Sequence, residues 1–403
     1  MPSLVPYFPT LGPRAGWKFQ SRRELPFPLN SDRAAGYYMG RAAIYHGARA
    51  LGLKPGDEIL FPAYHSGTES APLLHLGGRL KLYGVASDLA IDLDEIEAKI
   101  GPATRALYAI HFIGFPAPIV ELRELADRHG LVLIEDCALG FLSRAHGRPL
   151  GSWGDMSIFC VYKTLPLPAG GFLAINRDDV GLPTPPPATG LYSEINLTIK
   201  HVLNYIDLHG GAVGTSLSGL VQRFASKVVT STPARVVTPE AMTFDAAWLQ
   251  WGLGSITRRL LPYFDYASIA ARRRNNYQWL AGQLRDSGVR MLRQQLPDET
   301  VPLFFPIVVP DKFDTVARLR RDRVMAVPFW GKHHAHVPRG EFPETEFLVD
   351  HVVEIPIYQD LSPALMRRIA DAVIRHARPM PPTIARRAGK APATESVLAG
   401  AAC

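Results

Sequence analysis

The sequence predicts an α/β protein whose core is a mostly parallel sheet with helices on both faces. Short apolar segments alternate with amphipathic helical segments between Gly40 and Asp136, a pattern typical of βαβ units. The 403 residues, of which 47% are hydrophobic and 20% charged, can bury a large core and divide into two domains.

The alternating elements follow one another along the first half of the chain. Residues 40–53 have helical composition and lead through a Pro-Gly turn into the apolar strand EILF. The segment PIVELRELADRHG predicts a helix with one apolar face, which ends at Gly130 and precedes the buried strand LVLIE. Between these segments we expect, in order, a helix from Tyr64, the strand LKLYGV, the short helix DLDEIEAKI and the strand ALYAIH.

The charge of the chain does not indicate a nucleic-acid partner. The formal net charge is +7, but residues 378–403 contribute about +3 of it, because they include four basic residues and one acid. The rest of the chain is mildly basic, and no basic run is interleaved with aromatic residues. We therefore expect small-molecule substrates and no nucleic acid.

The cysteines and the apolar runs predict the cellular location. Cys137, Cys160 and Cys403 have no CxxC spacing, so the sequence predicts neither a disulfide framework nor a zinc ribbon. A reducing, cytoplasmic location is the default for such a chain. Prolines interrupt the N-terminal segment, and no run of 18 apolar residues occurs. We expect a protein that is neither secreted nor membrane-spanning.

Two polar residues follow apolar strands where parallel sheets bind ligands. Asp136 comes directly after LVLIE, and Lys163 lies between the apolar stretch SIFCVY and the glycine-containing turn PAGG. A single carboxylate there is most often a helix cap or a solvated charge. An aspartate and a lysine at the same edge, however, are what pyridoxal phosphate needs. The amine forms a Schiff base, and the carboxylate keeps the pyridine nitrogen protonated.

These residues lie in a longer pattern that resembles the DegT/DnrJ/EryC1/StrS aminotransferases. The segments GLKPGDEILFPAY, LVLIEDCA and GSWGDMSIFCVYKTLPLPAGGFLAI carry the resemblance across about residues 50–175, and FPETEFLVDHVVEIPIYQDL extends it to residues 300–378. Family members are fold-type I pyridoxal phosphate enzymes, and many of them aminate nucleotide-linked keto sugars. The resemblance implies a homodimer with a large cofactor-binding domain, residues 1–240, and a smaller C-terminal α+β domain, residues 241–378.

The resemblance also implies roles for single residues. Lys163 corresponds to the lysine that forms the internal aldimine and later moves a proton between the substrate carbon and the cofactor. Asp136 corresponds to the partner of the pyridinium nitrogen. Gly40 and Arg41 occupy the start of the first long helix, where backbone N–H groups would hold the phosphate. His111 matches a histidine that organises the site without covalent work.

The chain departs from the family pattern close to the cofactor. Leu139 replaces a glutamine, and Arg41 replaces a small hydroxyl residue, although arginine can pair with a phosphate. Ile158 stands where the family has a serine, so Ser157, one position away, is the candidate hydroxyl for binding the phosphate. The ring expected to stack on the cofactor falls near YHSG, where His65 is the candidate and an ordinary loop histidine is the alternative.

The remaining segments carry weaker signals. Apolar residues at helical spacing in residues 197–229 favour helices that cover the site or pack at a subunit interface over contact with a membrane surface. The triple arginine 272–274 is expected on a solvated helix face, with a contact to nucleotide phosphates as the alternative. The histidines of GKHHAHVP match no common zinc spacing, so no metal site is predicted. The composition of residues 379–403 predicts a disordered tail.

We therefore expect a pyridoxal phosphate-dependent aminotransferase that transfers an amino group from glutamate to a nucleotide-linked keto sugar or a similar polar keto metabolite. Two alternatives stay open on the sequence. A sugar dehydratase would keep the cofactor, but family members of that kind replace the lysine. A cofactor-free binding or regulatory protein would fit the lost glutamine and the shifted serine, whereas the retained Lys163 and Asp136 oppose it.

Overall fold

The computed structural model describes residues 3–12, 24–210, 237–238 and 242–380, together with residues 214 and 216. The predicted tail, residues 379–403, lies outside the described residues from residue 381 onward. Most of the predicted helical segment beyond residue 210 also lies outside them.

The first 175 residues build a large, mostly parallel sheet. Nine strands occur among the described residues of this part: β1 (Ala34–Tyr37), β2 (Glu58–Pro62), β3 (Arg79–Tyr83), β4 (Thr104–Ile110), β5 (Val132–Asp136), β6 (Arg144–Ala145), β7 (Arg148–Pro149), β8 (Met156–Cys160) and β9 (Gly171–Ile175). Seven of them form one sheet in the order β1-β9-β8-β5-β4-β2-β3, while β6 and β7 form a separate hairpin. Strands β3, β2, β4, β5 and β8 are parallel, and β9 and β1 continue the sheet in antiparallel pairing.

Helices bury both faces of this sheet. The first four are α1 (Gly40–Ala50), α2 (Ser70–His75), α3 (Leu93–Ala98) and α4 (Ile119–His129). Ile44 of α1 shares a buried cluster with Ile134 of β5, and Leu122 of α4 shares another with the adjacent Leu133. Because neighbouring residues of a strand point to opposite faces, α1 and α4 cover opposite sides. Gly130 follows α4 in the left-handed conformation, as predicted.

The C-terminal part adds a small antiparallel sheet. Its strands are β10 (Arg290–Met291), β11 (Phe305–Val308), β12 (Val327–Pro328) and β13 (Val352–Ile355), in the order β10-β11-β13-β12. Further α-helices in the described part of the chain are α5 (Leu191–His209), α6 (Ser255–Leu260), α7 (Tyr266–Leu284), α8 (Lys312–Arg321), α9 (Pro343–His351) and α10 (Pro363–His376). This arrangement confirms the predicted fold class, while the boundary at residue 240 stays a prediction.

The triple arginine of α7 differs from the expectation. The side chain of Arg273 is buried, with 1% of its surface exposed, whereas Arg272 is exposed. Consecutive residues of a helix point about 100° apart, so three successive side chains cannot share one solvated face. The prediction was therefore wrong for Arg273.

Helix α5 is amphipathic without being a membrane span. Leu197 and Leu203 are buried, whereas Ile195 and Ile199 are exposed. Among the described helices, none combines the length and the apolarity needed to cross a bilayer.

The start of α1 lies directly against Gly171, the first residue of β9. A Cβ atom at this position would lie 2.5 Å from the backbone nitrogen of Gly40. We therefore expect Gly171→Ala to lower the free energy of unfolding by about 1–3 kcal/mol, because backbone must shift to admit the methyl group. Urea unfolding measures the change. Gly181→Ala is the control, since a Cβ there meets no atom within 4 Å; equal effects of the two substitutions would contradict the prediction.

Candidate active site

The register of three neighbouring strands builds one wall of a cavity. Asp136, the last residue of β5, pairs with Ile110 of β4 and with Ile158 of β8. Residues that pair across a parallel ladder project to the same face, and the three side chains line a cavity whose empty space, including the part open to solvent, is about 470 Å³. The other lining residues are Gly40, Arg41, Ile44, Ser66, Thr68, Glu69, Ala138, Leu139, Cys160, Tyr162, Lys163 and Trp330.

Lys163 reaches the same cavity from the strand next to β5. It ends a short 3-10 turn, Val161–Lys163, that directly follows β8. The carboxyl ends of β5 and β8 are adjacent because the two strands pair in parallel. The structure thus brings together Asp136 and Lys163, which lie 27 residues apart in sequence.

The carboxylate of Asp136 is held in a fixed orientation. Its Oδ2 accepts a 2.7 Å hydrogen bond from the hydroxyl of Tyr108, and its Oδ1 accepts a 2.9 Å bond from the backbone N–H of Ala138. Burial and the negative charge of Glu69 raise the pKa of Asp136 to about 6, although these hydrogen bonds and the charge of Lys163 act in the opposite direction. The ionised carboxylate is therefore energetically unfavourable in this cavity, even beside Lys163.

The N-terminus of α1 faces the cavity with a chemistry suited to an anion. The residue before the helix, Met39, is extended and makes no capping bond with its side chain, and the first turn of the helix contains no acid. Arg41 in this turn is 4% exposed. One of its Nη atoms donates a 2.7 Å hydrogen bond to the carbonyl oxygen of Thr243. Backbone N–H groups of a helix start, the helix dipole and a buried guanidinium together favour a phosphate at this position.

Ser157 lies on the opposite face of the sheet from the cavity. It pairs with Glu135, one residue before Asp136, and its buried hydroxyl has no hydrogen-bond partner among the described residues. Successive side chains of a strand point to opposite faces of the sheet, so Ile158 faces the cavity instead. This geometry argues against the predicted contact between the hydroxyl of Ser157 and the cofactor.

His65 is buried but does not line the cavity. Its ring stacks on the rings of His334 and His336, with centroids 4.5 Å and 4.9 Å away. Its Nδ1 accepts a 2.9 Å hydrogen bond from the N–H of Gly67. Burial, with the charges of the two other histidines, lowers the pKa of His65 to about 3 despite the opposing effect of Glu69. The predicted stacking on a cofactor is therefore replaced by stacking within a neutral histidine cluster.

Two aromatic residues line the cavity, Tyr162 and Trp330, and Trp330 follows β12. It has a φ angle of 38°, a conformation that is strained for a large side chain. Its ring lies 5.2 Å from that of Tyr64 and 4.6 Å from that of Phe329. An aromatic cluster thus holds Trp330 in place at the cavity.

His111 acts through Glu135. Its Nδ1 accepts a 3.1 Å hydrogen bond from the N–H of Ala117, so that Nε2 carries the hydrogen and donates to Glu135 at 3.0 Å. Glu135 also accepts a 2.9 Å bond from the N–H of Gly151. Together with Cys137, His111 and Glu135 form a group of side chains that could in principle bind a metal ion, since their possible ligand atoms lie within 4.8 Å of one another. Because the polar atoms of His111 and Glu135 are already hydrogen-bonded to each other and to backbone, we interpret the group as structural.

Sequence reasoning missed three residues of the site. Tyr108 orients Asp136, and Glu69 and Trp330 line the cavity. The polar turn SGTES begins four residues after the last residue of β2, so its position near the carboxyl end of a parallel strand was a signal for Glu69. Trp330 gave no such signal, because only the packing of the C-terminal part brings it to the large sheet.

Comparison with known proteins identifies similar chains. Residues 29–180 match the model of the DegT/DnrJ/EryC1/StrS aminotransferase family. Over 174 residues the chain is 30% identical to GDP-perosamine synthase from Vibrio cholerae, a match that covers 41% of this chain and 47% of that protein. Over 352 residues it is 26% identical to dTDP-3-amino-3,4,6-trideoxy-alpha-D-glucose transaminase from Micromonospora megalomicea subsp. nigra, covering 83% of this chain and 82% of that one. The chain spans only 34% of L-glutamine:2-deoxy-scyllo-inosose aminotransferase from Streptomyces kanamyceticus.

Two solved structures share the fold. DesV from S. venezuelae, in complex with a ketimine intermediate, superposes with a TM-score of 0.60 at 21% identity, covering 86% of this chain and 85% of that one. The putative sugar aminotransferase Spr1654 from Streptococcus pneumoniae, in its PMP-form, has a TM-score of 0.61 at 15% identity and covers 95% of this chain and 100% of that one. These likenesses confirm the predicted fold class.

Proposed function

Residues 29–180 belong to the DegT/DnrJ/EryC1/StrS aminotransferase family, and from this premise we propose that the protein is a pyridoxal phosphate-dependent aminotransferase. One observation carries the proposal. Lys163 and Asp136, delivered by neighbouring parallel strands, line a single cavity together with the start of α1. An amine, a carboxylate and a helix N-terminus are the three groups that the aldehyde, the pyridine nitrogen and the phosphate of this cofactor require.

The residues present fit the cofactor. Asp136, oriented by Tyr108, would hold the protonated pyridine nitrogen, and Gly40 with Arg41 would hold the phosphate. Leu139 and Ile158 contribute apolar surface to the cavity. When bound, pyridoxal phosphate withdraws electrons from the substrate and so stabilises negative charge at the carbon that loses a proton.

Lys163 has two tasks in this proposal. Its amine would hold the cofactor covalently, and once released Nζ would be the group that carries a proton between the donor carbon and the cofactor carbon. Nζ must therefore stay close to both carbons throughout the reaction. The backbone around Lys163 has to be fixed to keep it there.

The names of the similar proteins support the substrate class. Both GDP-perosamine synthase and the dTDP-sugar transaminase are named for nucleotide-linked amino sugars. We propose that this protein aminates a nucleotide-linked keto sugar or a similar polar keto metabolite, with glutamate as amino donor. We further propose that it works as a cytoplasmic homodimer.

Covalent labelling tests the proposed function directly. Purified protein is mixed with pyridoxal phosphate, reduced with borohydride, digested and mapped by mass spectrometry. We expect a near-visible absorption band before reduction and a single labelled peptide that carries the modification on Lys163. Glutamate should then bleach the band, because it converts the cofactor to its amine form.

The labelling has two outcomes that would contradict the proposal. A protein that stays colourless and unlabelled would favour the cofactor-free binding protein as the alternative. Labelling of exposed lysines such as Lys54, without Lys163, would show only the general reactivity of the aldehyde toward amines. Native-mass measurement tests the homodimer separately.

A further inference from the structure

Two side chains from the C-terminal part of the chain hold the backbone directly after Lys163. The carbonyl oxygen of Thr164 accepts a 3.2 Å hydrogen bond from an Nη of Arg273 in α7. It also accepts a 3.0 Å bond from Nε2 of Gln359, which follows β13. Both donors lie more than 100 residues from Thr164 in sequence. Backbone at the lysine turn is thus tied to a distant part of the fold.

The guanidinium of Arg273 is bound at several points. Its Nε donates a 2.9 Å hydrogen bond to Oε1 of Gln359, and its Nη1 donates a 2.8 Å bond to the carbonyl oxygen of Leu303. Arg273 and Gln359 are 1% and 2% exposed. Two buried side chains that bond each other and share one acceptor have little freedom, so Thr164 is held by a rigid pair.

The position of this pair indicates a role in the chemistry of Lys163. Lys163 ends the 3-10 turn, and the N–H of Thr164 closes that turn with a 3.1 Å bond to the carbonyl oxygen of Val161. Fixing both the N–H and the carbonyl group of Thr164 fixes the peptide planes on either side of it. The direction in which the lysine side chain leaves the backbone is then also fixed.

We propose that Arg273 and Gln359 are positioning residues that aim the amine of Lys163 into the cavity, an inference that rests on the proposed function. Neither side chain lines the cavity, so both act through Thr164. Burying an arginine whose partners are neutral oxygens, with the carboxylate of Asp360 acting only at longer range, is energetically costly. An apolar side chain in place of Arg273 would avoid this cost, but it could not donate a hydrogen bond to the Thr164 carbonyl and so could not help to place Lys163.

Two substitutions test the pair with little change in volume. Gln359→Glu keeps an oxygen that accepts the hydrogen bond from Nε of Arg273, but it replaces the Nε2 donor that faces the Thr164 carbonyl with a carboxylate oxygen, which cannot donate. Arg273→Lys keeps the charge but loses the planar fork. Arg272→Lys, one residue away on the exposed side of α7, is the matched control.

The first measurement is the rate at which pyridoxal phosphate labels Lys163 in the cofactor-free protein, followed by borohydride trapping. The second is kcat and KM for amino transfer. We expect both test variants to lose about 10-fold to 10²-fold in labelling rate and in kcat, with KM for the donor within about twofold of the parent value. The pH midpoint of the near-visible band should also shift. The control should match the parent in all of these.

Several outcomes would overturn the inference. If the variants have a lower melting temperature but pyridoxal phosphate labels Lys163 at the parental rate per folded molecule, the role of the pair is purely structural. A change in KM with an unchanged kcat would lead to the same conclusion. Should Arg273→Lys fail to fold, Gln359→Glu alone decides. If the parent protein itself takes no label on Lys163, the proposed function fails first, and the inference fails with it.

Discussion

Lys163→Ala protein will fold, bind pyridoxal phosphate without a covalent bond and transfer no amino group. We expect kcat to fall by at least about 10⁴-fold, because the substitution removes both the nucleophile and the group that moves the proton. The free energy of unfolding should change by no more than about 1 kcal/mol, since the side chain lies at a cavity and not in the packed core. Stopped-flow absorbance of the half-reaction with glutamate, together with urea unfolding, measures both quantities.

Two companion variants make this result specific. Lys163→Arg keeps the positive charge but cannot form the covalent bond, so it should be as inactive as the alanine variant. Lys54→Ala removes an exposed lysine from a loop before β2 and should keep parental activity. Amino transfer by Lys163→Ala at the parental rate would exclude this residue from the chemistry.

Sequence reasoning located Asp136 and Lys163 because local signals are sufficient for them. A buried strand followed by a polar residue marks the carboxyl end of a parallel strand, and neighbouring parallel strands deliver such residues to one edge. The helix end at Gly130 was predicted on equally local grounds. Each of these features depends on a few consecutive residues and not on contacts between distant parts of the chain.

The features that sequence reasoning missed depend on side-chain direction or on distant contacts. Ser157 and Ile158 differ by one position, and the pleat of β8 decides that Ile158 faces the cavity. Arg273 is buried because α7 packs toward the lysine turn. His65 does not line the cavity and stacks instead on His334 and His336, about 270 residues away. A single sequence does not specify these pairings.

Asp136→Asn protein will be more stable than the parent in the absence of cofactor and nearly inactive in its presence. The neutral amide cannot stabilise a protonated pyridine nitrogen, so we expect kcat to fall by at least about 10²-fold. Its oxygen can still accept a hydrogen bond from Ala138, and its amide can donate to the hydroxyl of Tyr108, so that packing and bonding are largely kept. Half-reaction kinetics with glutamate measure the loss.

The stability gain should depend on pH with a sign set by the raised pKa. In the folded protein, burial and Glu69 raise the pKa of Asp136 from its ordinary value of 3.8 to about 6. Ionisation therefore opposes folding: the cost is absent below pH 3.8, grows as the pH rises to about 6, and is complete above that. A rise of this size corresponds to about 3 kcal/mol. Asp136→Asn removes the cost, so its advantage over the parent in urea unfolding should be largest at pH 7.5 and disappear near pH 4.

A second buried carboxyl serves as a control that separates the specific role of Asp136 from the general effect of removing a buried carboxylate. Glu354 in β13 is also buried and has a pKa raised by burial, but it does not line the cavity. Glu354→Gln should keep parental amino transfer, whereas Asp136→Asn should not. The protonated cofactor would be a cation beside Asp136 and would compensate for the cost of its ionised carboxylate. Adding pyridoxal phosphate should therefore stabilise the parent more than Asp136→Asn; equal stabilisation of the two would separate Asp136 from cofactor binding.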